Sequence, residues 1–298
     1  MKHALHPPAI LYYKGETLVP ERNLNFTTQR WFYHSTLGKV LRLFITNRKA
    51  ATALGWYHNA RISRHLIPSF IEAYKIDMND FVIPPGGYSS FNDFFIRAFK
   101  PHARPLPKNP IALISPADSK LFVIPSLTPL TLFFIKEHAF NLTTFLGNPL
   151  LAKTFNAGTL CMFRLAPYDY HRFHAPIDGV IEHIIRIAGK LESVNPTVFM
   201  AGYLPLTSNE RIVIMLKTPT HGTIALVAVG ALFVGSIIIQ CNVGDTIKRG
   251  DDIGMFAFGG STIVLLCERD TIALKEHFIK HSLQGYETAV TMGTAITD

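Results

Sequence analysis

Between residues 31 and 75, apolar side chains return at helical spacing. Leu37, Val40, Leu41, Phe44 and Ile45 follow i, i+3, i+4, i+7, i+8 and define one helix face, with Lys39 and Arg42 off it. Ile67, Phe70, Ile71 and Tyr74 repeat the spacing around Pro68, which a first helical turn tolerates. The run Pro84-Pro85-Gly86-Gly87 breaks any regular element and marks a boundary. Beyond it, Ser89-Ser90 leads into Phe91, Phe94 and Phe95, predicting a short capped helix that ends near Pro101. From Ile111 onward, short apolar runs punctuated by Gly and Pro predict β structure.

Thr218 to Gly244 carries no Lys, Arg, Asp or Glu and is long enough for a transmembrane helix. Gly222, Gly230, Gly235 and Gly244 interrupt it, however, and β-branched residues dominate, so two or three buried strands are expected instead. Val243 to Gly254 reads as tight turns of a small β domain. The fold class expected is α+β: a helical part over residues 1–87, then a mainly antiparallel β core over 88–298.

Composition changes this picture in one respect. The 298 residues are 48% hydrophobic and only 17% charged, which directs attention to a membrane. The net charge of +8 is concentrated: residues 26–75 hold eight basic side chains against the single acid Glu72, whereas residues 76–298 balance. The eight are Arg30, Lys39, Arg42, Arg48, Lys49, Arg61, Arg64 and Lys75. Trp31, Phe32, Tyr33, Trp56 and Tyr57 flank the apolar face, and such rings settle at bilayer interfaces. A basic, aromatic-rich amphipathic segment reads as lying on anionic lipid; the plainer reading packs it on its own domain with a solvated basic face. Nucleic acid is not expected as a partner, because no helix-turn-helix, zinc-finger or RRM pattern accompanies the charge. Cys161, Cys241 and Cys267 form no C-x-x-C pair and point to a reducing compartment. Met1 to Ile10 lacks the apolar run of a secretory signal.

Two segments can carry chemistry. Gly259-Gly260-Ser261-Thr262 lies between two apolar strands, where paired glycines permit positive φ and let the Ser261 hydroxyl fold back on the Gly260 carbonyl; a plain hairpin turn would look similar. Tyr168 to Pro176 contains His171 and His174. On a helix the pair could bind zinc, but Pro167 and Pro176 indicate a loop or strand end, so no metal is expected. In an extended segment residues three apart face opposite ways, so one ring could meet a serine while the other faces elsewhere. Asp118, after an apolar run, could orient a histidine or merely form an Asx turn. Together a Ser, a His and an Asp supply a relay that deprotonates a hydroxyl.

Five segments, taken in order, resemble the phosphatidylserine decarboxylase proenzymes. They are Phe91-Asn92-Asp93-Phe94-Phe95-Ile96-Arg97 with Ala103-Arg104-Pro105; Ser115-Pro116-Ala117-Asp118; Leu165 to Pro176; Val229-Gly230-Ala231 with Val234-Gly235-Ser236-Ile237; and Phe258-Gly259-Gly260-Ser261-Thr262. The resemblance implies self-cleavage between Gly260 and Ser261 into chains 1–260 and 261–298, which remain together as a heterodimer; a homodimer of that unit is compatible with it. Ser261 would attack the Gly260 carbonyl to give an ester, and β-elimination would release the upstream chain. Hydrolysis of the remaining dehydroalanine would leave a covalent pyruvoyl group and ammonia. The resemblance assigns Asp118 and His174 to activation of Ser261, and His171 to substrate contact or proton transfer during decarboxylation of phosphatidylserine to phosphatidylethanolamine. It implies the pyruvoyl group as cofactor, no metal, and a peripheral place on the cytoplasmic face of the cell's inner membrane. Two departures stand out: Ser119 replaces a usual glycine, and Gly259 a frequent leucine.

Two rival readings remain at this level. One is a biotinyl or lipoyl-like carrier, which needs a modifiable lysine at a hairpin tip; the nearest, Lys248, lacks that context. The other is a membrane-binding scaffold without catalysis.

Overall fold

The computed structural model describes residues 10–22, 26–46, 48–128, 141–195, 198–199, 201–232, 237–259 and 261–298. Gly260 of the expected cleavage site, Val234 to Ser236 and the first nine residues lie outside that set. The architecture is α+β and mostly antiparallel.

The N-terminal region does not start as helix. Leu11–Lys14 (β1) and Thr17–Pro20 (β2) form a hairpin, and β1 joins the main sheet by parallel pairing with Glu287–Val290 (β13). The sequence hid these strands because each is four residues long and only half-buried. Helices follow: Phe26–His34 (α1), Thr36–Ile45 (α2), Arg48–Asn59 (α3) and Leu66–Tyr74 (α4). Ser35 caps α2, its hydroxyl accepting the Gly38 N–H at 2.9 Å. Of the predicted apolar stripe of α2 only Ile45 packs inward: Leu37, Val40, Leu41 and Phe44 are 61%, 49%, 39% and 66% exposed. The α1–α2 pair is held instead through Phe32, Tyr33 and Ile45 against Val198 and Tyr203. Arg42 points inward to a buried ion pair with Glu192, which also accepts the Tyr33 hydroxyl.

Ser90 caps the short helix Phe91–Phe95 (α5), accepting the Asp93 N–H, while the Asp93 carboxylate accepts the Ser89 N–H. The rings of Phe91, Phe94 and Phe95 share one apolar cluster with Ile67, Phe70 and Ile71 of α4. Helices on both sides of the Pro84–Gly87 break therefore bury common surface.

The remaining strands are Ser119–Ile124 (β3), Thr159–Leu165 (β4), Arg172–His174 (β5), Gly179–Ile187 (β6), Arg211–Lys217 (β7), Thr223–Gly230 (β8), Ile237–Ile239 (β9), Thr246–Ile247 (β10), Asp252–Phe256 (β11) and Ser261–Cys267 (β12). Among the described residues they and the hairpin form a ten-stranded sheet ordered β10-β6-β7-β8-β12-β4-β3-β13-β1-β2 and a three-stranded sheet ordered β5-β11-β9. β12 is central and covered on both faces. Ile263, Leu265 and Cys267 enter one apolar core, while Val264 and Leu266 enter the other. A strand buried on both sides has no polar alternation, which explains its unbroken apolar sequence. Within the uncharged stretch 218–244 the described residues hold one buried strand, β8, and the short, half-exposed β9, rather than two or three buried strands.

Candidate active site

Ser261 is the first residue of β12, paired with Leu165 of β4 and Gly230 of β8, and fully buried. The residue two before it, Gly259, has φ +146°, a conformation open to glycine and strained for a leucine side chain. This gives a physical reason for glycine at that position in this chain.

His171 is the ring that meets the serine. Its Nε2 lies 3.0 Å from the Ala166 carbonyl and its Nδ1 lies 3.2 Å from Ser261 Oγ. A carbonyl can only accept, so Nε2 carries the proton; in the neutral ring Nδ1 then presents its lone pair to the serine hydroxyl. The ring is fully buried and stacks on Phe95, with centroids 3.9 Å apart. Burial first, and then the Arg97 guanidinium, push its pKa down to about 3, so it is neutral at pH 7.

His174 and Asp118 stand apart from the serine. His174 Nδ1 donates to the Gly250 carbonyl at 2.8 Å, and its Nε2 accepts the Tyr170 hydroxyl at 2.9 Å. Burial lowers its pKa, opposed by the hydrogen bond to Gly250 and the charge of Asp252. Asp118 accepts two hydrogen bonds from Arg104, at 3.2 and 2.7 Å, and one from the Met292 N–H at 2.7 Å. Neither residue hydrogen-bonds Ser261 or the other, although the His174 N–H donates to the Pro116 carbonyl in the turn that carries Asp118. Ser119 starts β3 without a left-handed φ, so the loss of glycine there introduces no strain.

The residues that position His171 were not singled out from the sequence. Arg97 donates to the carbonyls of Tyr168 and Asp169 at 3.2 and 3.4 Å, and Arg172 Nε donates to the Ile96 carbonyl at 2.7 Å. Phe95, Ile96 and Arg97 thus grip the segment around His171 by stacking and hydrogen bonds. Below it lies a buried charge network. Arg164 pairs with Glu287 and Glu21, and Lys120 pairs with Asp169. Burial alone would raise the Glu21 pKa, but Arg164 and Lys120 outweigh it and hold the carboxyl below its ordinary value. A cavity of about 250 Å³ is lined in part by Leu54, His58, Phe70, Tyr74, Ala166 and Gly259, the last of these two residues before the serine. Helices α3 and α4 therefore form one wall of that space. Among the described residues no cluster of three potential metal ligands occurs.

A buried serine under a neutral imidazole, at the start of a central strand, defines a site for proton transfer and nucleophilic attack. The family model for phosphatidylserine decarboxylase matches residues 91–297, a span that includes Ser261, His171, His174 and Asp118. The chain belongs to that family and is a decarboxylase, a carboxy-lyase, which displaces the carrier and scaffold readings. It is 37% identical over 290 residues to the phosphatidylserine decarboxylase proenzyme of Chlamydia trachomatis serovar D, covering 96% of each chain. It is 34% identical over 283 residues to the proenzyme of Fusobacterium nucleatum, covering 94% of this chain and 92% of that one. Against phosphatidylserine decarboxylase proenzyme 3 of Schizosaccharomyces pombe it is 37% identical over 244 residues, 81% of this chain and 25% of the longer yeast protein.

Proposed function

We propose that this protein converts phosphatidylserine to phosphatidylethanolamine and CO2 after cutting itself between Gly260 and Ser261. The observation that carries the reading is the contact of His171 Nδ1 with Ser261 Oγ at the buried head of β12. The residues present fit a pyruvoyl group derived from Ser261. Attached through its own carbonyl to Thr262, it would stay at the head of the strand paired with β4 and β8, beside His171. Such a group supplies the electron sink that loss of a carboxylate from an amino acid requires.

The chain's own residues divide the proton work. His171, held against Ser261, would exchange a proton with the carbon that loses CO2 once the pyruvoyl group is in place. His174 and Asp118 belong to the self-cleavage step. Asp118 acts from a turn held by Arg104 and the Met292 N–H, and His174, whose N–H donates to the Pro116 carbonyl of that turn, acts from the end of β5. The helices α1 to α3 turn Leu37, Phe44 and Trp56 outward, with Lys39, Arg61 and Arg64 also exposed. This surface suits peripheral docking on an anionic bilayer, on the cytoplasmic face. Among the described residues no helix is long and apolar enough to cross a membrane.

Denaturing mass spectrometry of the purified protein should show two chains, the smaller blocked at its start, and Ser261→Ala should remain whole. CO2 release from phosphatidylserine vesicles should be lost in Ser261→Ala. In His171→Ala it should fall by about a hundredfold or more, the scale of a general acid–base contribution. His174→Ala and Asp118→Ala should accumulate uncut chain. If His171→Ala stays whole while His174→Ala cuts normally, the cleavage proton goes to His171 and the division made here is reversed.

A further inference from the structure

Strand β11 ends at Phe256, and the backbone must then reach Ser261 at the head of β12. Phe258 is fixed in two ways on the way. Its N–H donates to Asn92 Oδ1 at 2.9 Å, and its ring packs on Phe91, Phe95 and His58, with centroids 5.1, 5.1 and 4.0 Å away. Asn92 is 8% exposed and is itself held, Nδ2 donating to Asn59 Oδ1 at 2.9 Å. Asn59 is the last residue of α3, the helix that turns Trp56 and Tyr57 outward. Next to Asn92, the Phe91 N–H donates to Ser63 Oγ, which donates back to the His58 carbonyl. The end of α3 and the start of α5 thus form one hydrogen-bonded unit, and Asn92 extends it to the chain three residues before the serine.

Between this anchor and the pairing of Ser261 with Leu165 and Gly230 lie only residues 259 and 260, both glycine. Glycine has no side chain to fix its own conformation, so the geometry of a bond between two such residues and a strand is set by the anchors at either end. Attack by a hydroxyl on the carbonyl before it needs the two atoms within about 3 to 3.5 Å and aligned, and a displacement of 1 Å costs on the order of a hundredfold in rate.

We propose that Asn92 is a positioning residue for the self-cleavage, fixing the Phe258 N–H so that the Gly260–Ser261 bond is presented to Ser261 Oγ. The inference rests on the cleavage reading given above. In the reaction, the bond from Oγ to the Gly260 carbonyl carbon forms as the Gly260–Ser261 C–N bond breaks and its nitrogen takes the hydroxyl proton. Asn92 supplies no proton and touches no reacting atom. Once the chain is cut, Phe258 lies on the large chain and the reactive group on the small one, so the hold on Phe258 has finished its work.

The test is a timed conversion. Full-length chain made by pulse-labelled cell-free synthesis is followed by denaturing electrophoresis, and the cut product is then assayed for CO2 release from phosphatidylserine vesicles, per mole of small chain. Asn92→Leu should cut at least tenfold more slowly than wild type, yet turn over within about threefold of wild type once cut. Asn92→Asp keeps an acceptor for the Phe258 N–H, and the Asn59 amide can rotate to donate to it, so this variant should restore most of the rate. Melting of Asn92→Leu in a Ser261→Ala background separates misfolding from mispositioning, and Asn92→Asp remains decisive should the leucine variant not fold. Cutting of Asn92→Leu at the wild-type rate, an equal loss of cutting and turnover, or Asp cutting as slowly as Leu would overturn the proposal. A wild-type chain that never cuts would remove the cleavage reading itself and this inference with it.

Discussion

At the level of single residues, His171 sets a pH dependence that can be measured without any activity. In the unfolded chain its ring takes a proton below about pH 6.5, but in the folded chain only near pH 3, because burial and the nearby Arg97 disfavour the charged form. Between those values the unfolded state binds more protons, so stability is complete above pH 6.5 and declines as the pH falls. The slope is about 1.4 kcal/mol per pH unit for such a group. Urea unfolding of Ser261→Ala should therefore give a lower stability at pH 5.5 than at pH 7.5, and adding His171→Phe should make that difference smaller. An unchanged difference would mean that the ring is not the buried neutral base described. The same residues show where sequence reading reaches its limit. The motifs drew attention to Ser261, His171, His174 and Asp118, but not to which ring meets the serine, and the structure brings only His171 to it. That depends on the Ala166 carbonyl, on Phe95 stacking and on Arg97, contacts that span from five to more than seventy positions. Asp118 could be read as a partner for a histidine because its actual partners, Arg104 and the Met292 N–H, lie 14 and 174 positions away.

Among the elements, the period of Leu37, Val40, Leu41, Phe44 and Ile45 signalled a helix, which the structure bounds at Thr36–Ile45 and caps with Ser35. What periodicity could not tell is which way the stripe faces, since a core-facing and a lipid-facing helix share one pattern. The structure turns Leu37 and Phe44 outward and uses Tyr33, Arg42 and Thr46 to bind the loop at Leu191–Ser193. The opposite limit appears at β1 and β2, whose four-residue strands left no periodic signal. The outward stripe carries a prediction of its own. Replacing Leu37, Phe44 and Trp56 with serine should weaken sedimentation with anionic vesicles by roughly tenfold per side chain, the scale of 1.5 kcal/mol or more for a large apolar group leaving an apolar phase. None of the three belongs to the core clusters, so melting temperature should hold. Vesicle binding that survives the triple change would leave the exposed face without its proposed partner.

Across the whole molecule, a cut before Ser261 would divide the structure in an unusual way, because the small chain runs through its centre. β12 lies between β4 and β8 and buries both faces, while β13 lies between β3 and β1. Strands from residues 1–260 thus flank each strand from 261–298, and neither could be inserted from outside a finished sheet without opening it. Folding must therefore precede cleavage, and the two chains should remain one particle afterwards. Arg164 ties them most directly: its Nε donates to both Glu287 oxygens at 2.8 and 3.1 Å, and its Nη1 donates to Glu21 at 3.0 Å, all nearly out of solvent. Glu21 brings the N-terminal hairpin to the same cation, so one guanidinium joins both ends of the sequence to β4. Removing one partner of a buried pair costs about 3 to 5 kcal/mol, because the remaining charge is left uncompensated. Native mass spectrometry of the cut protein should show a particle with the mass of both chains, and Arg164→Met should release the small chain at a clearly lower urea concentration. Loss of the small chain from the unmodified protein in dilute buffer would contradict an interface made of sheet pairing on both sides of two strands.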